Sequence, residues 1–228
     1  GDLLFYDWDG NGSQSTNEQG IANVTVSLYV DVDTNKQLNT GVDTLVGTTN
    51  TATNGYYIFQ NRLPTNYLVI VDSGDTNLPS SYTVTADPYG VADGISYIAT
   101  TNVSMTNQDF GYQPYGNGSI SGTTWRDRDA NGVQNGGSET GITNIAVTLF
   151  ADMNGDGNYA AVTSAVTSAA GSYNFGDLPD GNFKVTVSSN DAAIPADAFG
   201  NRYVPTTSTS NLFTITGGPI KVREMVGI

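Results

Sequence analysis

The chain has 228 residues, no cysteine and no histidine, and its 22 acidic side chains against 8 basic ones leave a formal charge of −14. Disulfides are thereby excluded, the commonest zinc ligand and general base is missing, and the charge disfavours nucleic acid and anionic membranes while favouring multivalent cations. With 38% hydrophobic and 10% aromatic residues the chain can bury the core of one large or two ordinary domains, and no apolar run approaches the ~20 residues that span a bilayer.

From the N-terminus, Leu3 to Phe5 reads as an opening strand, followed by the acidic run Asp7-Trp8-Asp9-Gly10-Asn11-Gly12-Ser13 and, five residues on, Glu18. This is the spacing of a calcium loop. Asp7, Asp9 and Asn11 supply oxygens at positions 1, 3 and 5, Gly12 makes the turn at 6, the Ser13 carbonyl stands at 7 and Glu18 at 12. Val24, Val26, Leu28 and Val30 then alternate with Thr25, Ser27 and Tyr29, the period of a half-buried strand. A second acidic segment follows with Asp31, Asp33, Asn35 and Asp43, but Lys36 occupies the position where the turn glycine belongs. Gly55 to Phe59 and Tyr67 to Val71 read as further strands, with Tyr57, Phe59, Val69 and Val71 facing a core.

Residues 114–119, Pro-Tyr-Gly-Asn-Gly-Ser, read as a linker between a first domain over 1–113 and a second over 120–228. The second repeats the first. After an opening strand from Ile120 to Trp125, Asp127, Asp129 and Asn131 recur with Gly132, the Val133 carbonyl stands at position 7, and Glu139 falls one place late, at 13. Ile145, Val147 and Leu149 repeat the first alternating strand, and Asp152, Asn154, Asp156 and Asn158 form a fourth acidic segment with no acidic residue near position 12. Tyr173, Phe175, Val185 and Val187 match the later strands. Short alternating strands, turn clusters and no helical period give an all-β class, two tandem antiparallel β-sandwiches with about seven strands each.

The run from Gly1 to Gly12, with Glu18-Gln19-Gly20-Ile21, Asn54 to Phe59 and Asp109-Phe110-Gly111-Tyr112-Gln113-Pro114, resembles the B-type repeats of serine-aspartate repeat surface proteins. In the second copy Trp125-Arg126-Asp127, Glu139-Thr140-Gly141-Ile142 and Gly171 to Phe175 match the same pattern, whereas Lys221 to Ile228 departs from the family's Asp-Phe-Gly ending. The resemblance implies calcium-binding, prealbumin-like sandwiches that act as stiff extracellular spacers. It also implies Asp7, Asp9, Asn11, Glu18, Asp127, Asp129, Asn131 and Glu139 as ligands. Related collagen-adhesin domains carry a lysine to asparagine crosslink, but neither opening strand contains a lysine.

The expectation is therefore a non-enzymatic, calcium-stabilised stalk module of a bacterial surface protein, in contact with neighbouring domains or subunits of the same assembly. No leader or sorting segment is visible, so the chain reads as a mature or excised fragment. One alternative is a filament subunit joined by strand addition through Gly1 and the strand after it or the apolar tail Ile220 to Ile228. Another is a carbohydrate- or protein-binding module using Tyr56, Tyr82, Tyr89, Tyr97 or Tyr115. The competing reading of every acidic loop is a solvated Asx turn.

Overall fold

The structure is a computed structural model describing residues 2–99, 104–196 and 204–216, with the backbone of 221–227. It divides into two compact units, Gly1–Pro114 and Tyr115–Ile228. The first contains β1 (Asp2–Tyr6), β2 (Thr25–Val30), β3 (Thr44–Asn50), β4 (Tyr56–Tyr57), β5 (Asn66–Val71), β6 (Tyr82–Ala86), β7 (Ile95–Ala99) and β8 (Phe110–Pro114). The second contains β9 (Gly118–Trp125), β10 (Ala146–Asp152), β11 (Ala160–Val166), β12 (Ser172–Leu178), β13 (Gly181–Val187), β14 (Ser210–Ile215) and β15 (Lys221–Gly227).

Strand order is β4-β1-β8-β6 and β3-β2-β5-β7 in the first unit, β12-β9-β15 and β11-β10-β13-β14 in the second. The alternation read from sequence sets the packing. Val26 and Leu28 of β2 and Tyr67, Val69 and Val71 of β5 are buried, as are Val147 and Leu149 of β10 and Phe183, Val185 and Val187 of β13. Burying such side chains contributes about 1.5–3 kcal/mol each.

The structure corrects the antiparallel expectation in one respect. β1 pairs with β8, and β9 with β15, in parallel, while the other strand pairs are antiparallel. In each unit the last strand returns to the sheet of the first and enters from the same end, a relationship that alternation within a strand cannot encode. The linker is shorter than expected, because β8 reaches Pro114 and β9 begins at Gly118. Of the strands named for the strand-addition alternative, β1 pairs with β4 and β8 inside its own unit, and β15 pairs with β9 and lies at the edge of its sheet among the described strands. Gly1, Ile220 and Ile228 lie outside the described residues, as do the side chains of 221–227.

Two glycines in each copy explain how the acidic loop is anchored. Gly20 bridges to Phe5, and the N–H of Leu4 donates to the Gly55 carbonyl at 3.0 Å. A Cβ on Gly20 would overlap the Asn54 carbonyl, and one on Gly55 the Leu4 carbonyl, so the backbones meet only where side chains are absent. Gly141 and Gly171 repeat the crossing against Ala170 and Thr124. The chain leaving the loop is thus stitched beside the strand that entered it.

Candidate metal centres

Four loops share one backbone. At their fourth positions Gly10, Thr34, Ala130 and Gly155 have φ of 69°, 59°, 56° and 70°, and at their sixth positions Gly12, Lys36, Gly132 and Gly157 have 76°, 67°, 73° and 83°. The left-handed residues turn the chain around the first aspartate. Its Oδ2 accepts the N–H of the sixth residue in every case: Gly12 on Asp7 at 2.8 Å, Lys36 on Asp31 at 3.1 Å, Gly132 on Asp127 at 2.8 Å and Gly157 on Asp152 at 3.0 Å. The residue at position 7 donates to the side chain at position 5: Ser13 to Asn11, Gln37 to Asn35, Val133 to Asn131 and Asn158 to Asp156, at 2.7 to 2.8 Å.

The first aspartate of each loop is buried, Asp7 completely and Asp31 to 2% exposure, with Asp127 and Asp152 close behind. Burying a carboxylate is costly unless it is hydrogen-bonded or neutralised. The partners just described are neutral N–H groups. The Asn158 N–H foremost, with the side chains of Asn154 and Asn158, holds the Asp156 carboxyl below its usual range against the opposing effect of burial. The Thr206 hydroxyl, close to Asp127 though without a formed hydrogen bond, acts in the same sense there, helped by the N–H groups of Gly132 and Asn131.

Three loops are closed by a further carboxylate. Glu18 accepts from the N–H of Ser15 at 2.8 Å and of Asp9 at 3.4 Å; Asp43 from Asn39 at 2.7 Å and Val32 at 2.9 Å; Glu139 from Asn135 at 2.6 Å and Arg128 at 3.0 Å. Carboxylate oxygens of Asp7, Asp9 and Glu18 lie within 4.8 Å of one another, as do those of Asp31, Asp33 and Asp43, and of Asp127, Asp129 and Glu139. The late position of Glu139 does not displace it, because the extra residue is taken up at Gly136 and Gly137, the latter at φ 84°.

The Asp31 loop departs from its sequence reading. A missing glycine at position 6 demotes it in sequence, yet Lys36 adopts the glycine conformation and the loop closes as the others do. The Asp152 loop has the turn but, among the described residues, no third carboxylate joins Asp152 and Asp156.

The donor sets fit a hard divalent cation: every candidate ligand is an oxygen, and three carboxylates converge where they repel one another. Oδ1 of Asp31 is buried without a hydrogen-bond partner while its Oδ2 is held by Lys36. A buried carboxylate oxygen left unpaired beside two other carboxylates is the arrangement a bound cation would satisfy.

Two supports were not visible in sequence. The Gln113 Nε2 donates to the Trp8 carbonyl at 3.2 Å, fixing the first loop to β8, and Lys36 reaches aromatic rings outside its loop. Among the tyrosines considered as a binding platform, Tyr82 packs edge-on against Tyr112, and Tyr89 and Tyr97 pack against each other and Lys36. Tyr56 and Tyr115 are exposed.

The family model described as SdrD B-like domain matches residues 1–112 and 118–211. Serine-aspartate repeat-containing protein D of Staphylococcus aureus (strain Newman) is 32% identical over 217 residues, 92% of this chain and 14% of that protein. Serine-aspartate repeat-containing protein F of Staphylococcus epidermidis (strain ATCC 12228 / FDA PCI 1200) is 31% identical over 224 residues, 95% of this chain and 12% of that protein. Among solved structures, the Streptococcal ancillary pilin aligns with a TM-score of 0.36 at 12% identity, over 99% of this chain and 61% of that one. The Bacillus anthracis TIE protein aligns with a TM-score of 0.37 at 11% identity, over 99% of this chain and 32% of that one.

Proposed function

The chain belongs to the SdrD B-like domain family, and from that premise we propose that it is a non-enzymatic, calcium-stabilised spacer of a bacterial cell-surface protein. It spans about one seventh of the curated relatives it matches, so its work is that of a module within a longer protein. A spacer needs folded units that resist unfolding in an extracellular setting, and without cysteine this chain cannot use disulfides.

The observation that carries the calcium reading is the convergence of three carboxylates in each of three loops, with Oδ1 of Asp31 buried and unpaired. Three divalent ions, one for each such loop, would bring the formal charge from −14 to −8, relieving the self-repulsion of the folded chain. Ions that bind only the folded form add stability as RT ln(1 + [Ca]/Kd), about 2.7 kcal/mol per site at a hundredfold excess over Kd.

The test is thermal unfolding in millimolar calcium, in excess chelator, and in magnesium. A calcium-specific rise in Tm of several degrees is expected. Superimposable curves in all three conditions would sink the proposal and leave the loops as Asx turns.

A further inference from the structure

Resting on the cation reading of the acidic loops, we infer that Lys36 is the positioning residue that pre-forms the Asp31 loop for a divalent cation, by tying its sixth position to Tyr89 and Tyr97. The Asp31 loop is the one whose backbone needs most support. At its fourth and sixth positions it places Thr34 and Lys36 at φ of 59° and 67°, where the first loop and the Asp152 loop place glycine twice and the Asp127 loop once. L-residues avoid this region, β-branched ones most strongly, and hold it only where the surroundings over-determine it.

Two contacts provide that support. The Lys36 N–H donates to Asp31 Oδ2 at 3.1 Å. Its ammonium lies 5.3 Å from the centroid of Tyr89 and 5.0 Å from that of Tyr97, whose rings meet edge to face. The rings attract the ammonium through their quadrupoles.

The tether has a structural footing in the sheet. Tyr97 pairs in register with Leu68, and Leu68 with Tyr29, on the face opposite the core residues Tyr67 and Val69. Alternation would expose Leu68, yet it is fully buried. Leu68 is therefore covered on the outer face of β5, and the Lys36 ammonium lies over the ring of Tyr97, its cross-strand neighbour. With the loop held there, Asp31, Asp33 and Asp43 keep their carboxylates together and Asp31 Oδ1 faces no hydrogen-bond donor. Lys36 thus does for this loop what glycine does for the others, and adds a connection to the β6–β7 turn that a glycine could not make.

The lysine charge also works against the cation, so the two roles predict opposite signs. If Lys36 acts by positioning, Lys36→Met and Lys36→Gly both weaken calcium at this loop, by about tenfold where the competent fraction of the loop falls to about a tenth, and Lys36→Arg restores it. If repulsion dominates, both variants bind more tightly.

The experiment is a calcium titration of the 228-residue chain followed by the amide resonances of Val32 and Asn39, with Gly12 of the first loop as internal control. In chelator, Lys36→Met is expected to speed hydrogen exchange at Asn39 and to shift the Tyr97 ring resonances, with Gly12 unchanged. Unchanged or tighter binding at Val32 and Asn39 in Lys36→Met would overturn the inference while leaving the cation reading intact. Weakening in Lys36→Gly alone would also overturn it, since glycine flexibility and not the lost ammonium would be the cause. Failure of the wild-type Val32 and Asn39 resonances to respond to calcium would overturn the inference together with the cation reading of this loop.

Discussion

The N–H of Asn135 donates to Oε2 of Glu139 at 2.6 Å, and that of Ser15 to Oε2 of Glu18 at 2.8 Å, although the two glutamates stand at different positions in their loops. The ninth residue of the loop, not the count to the twelfth, sets where the closing carboxylate sits. Glu18→Gln and Glu139→Gln should therefore have similar effects. Each is expected to remove about 1–3 kcal/mol of calcium-dependent stabilisation while changing Tm in chelator little, read by thermal unfolding with and without calcium. A loss confined to Glu18→Gln would show that the late glutamate does not act as its counterpart does.

The Asp152 loop makes a contrasting case. It has the turn and a buried first aspartate but lacks a grouped third carboxylate among the described residues. Asp152→Asn is expected to reduce the calcium response less than Asp127→Asn, by at least threefold in the Tm increment. Equal losses would mean that ligands outside the loop complete the site.

Gly55→Ala should be among the most damaging single-methyl changes in the first unit. The added Cβ would overlap the Leu4 carbonyl, a backbone atom that cannot swing aside, and would sit at φ 83°. A loss of about 3 kcal/mol is expected, measured by denaturant unfolding. Gly171→Ala, facing the Thr124 carbonyl, should match it in the second unit. Near-neutral behaviour of both would show that the crossing relaxes easily.

Acid sensitivity has a local contributor away from the metal loops. Partial burial works to raise the pKa of Asp75, but hydrogen bonds from the N–H groups of Asn77 and Thr25 outweigh it and hold the carboxyl below its ordinary value. A depressed carboxylate stabilises the fold above the unfolded pKa of about 4, and that contribution disappears as pH falls through the folded value. Asp75→Ala should cost about 0.5–1 kcal/mol at pH 7, with solvent screening favouring the lower figure. The difference from wild type should shrink toward pH 3. A constant difference across that range would remove ionisation from the account.

Much of the architecture is legible in the amino-acid sequence. Duplication, the strand class, the core faces of β2, β5, β10 and β13 and the carboxylates of two loops all follow from residue type and spacing, because each depends on alternation or on a short covalent span. The Asp31 loop was harder to read, since a lysine at the sixth position argues against the turn. The penalty for φ 67° is local, while the contacts that offset it, Tyr89 and Tyr97, lie more than fifty residues away. No local pattern contains them.

By itself the sequence determined that the chain is all-β, twice repeated, free of disulfides, and equipped with oxygen-rich loops at matching places in both copies. Tertiary structure decided which strands lie side by side in parallel, how Gly20 and Gly55 let the loop exit cross its entry strand, and which carboxylates converge. It also decided that Leu68 is covered and that Lys36 can stand in for glycine. The division has a physical reason: periodicity and loop register are set by bonds along the chain, whereas convergence and burial are set by contacts between segments that the chain order keeps apart.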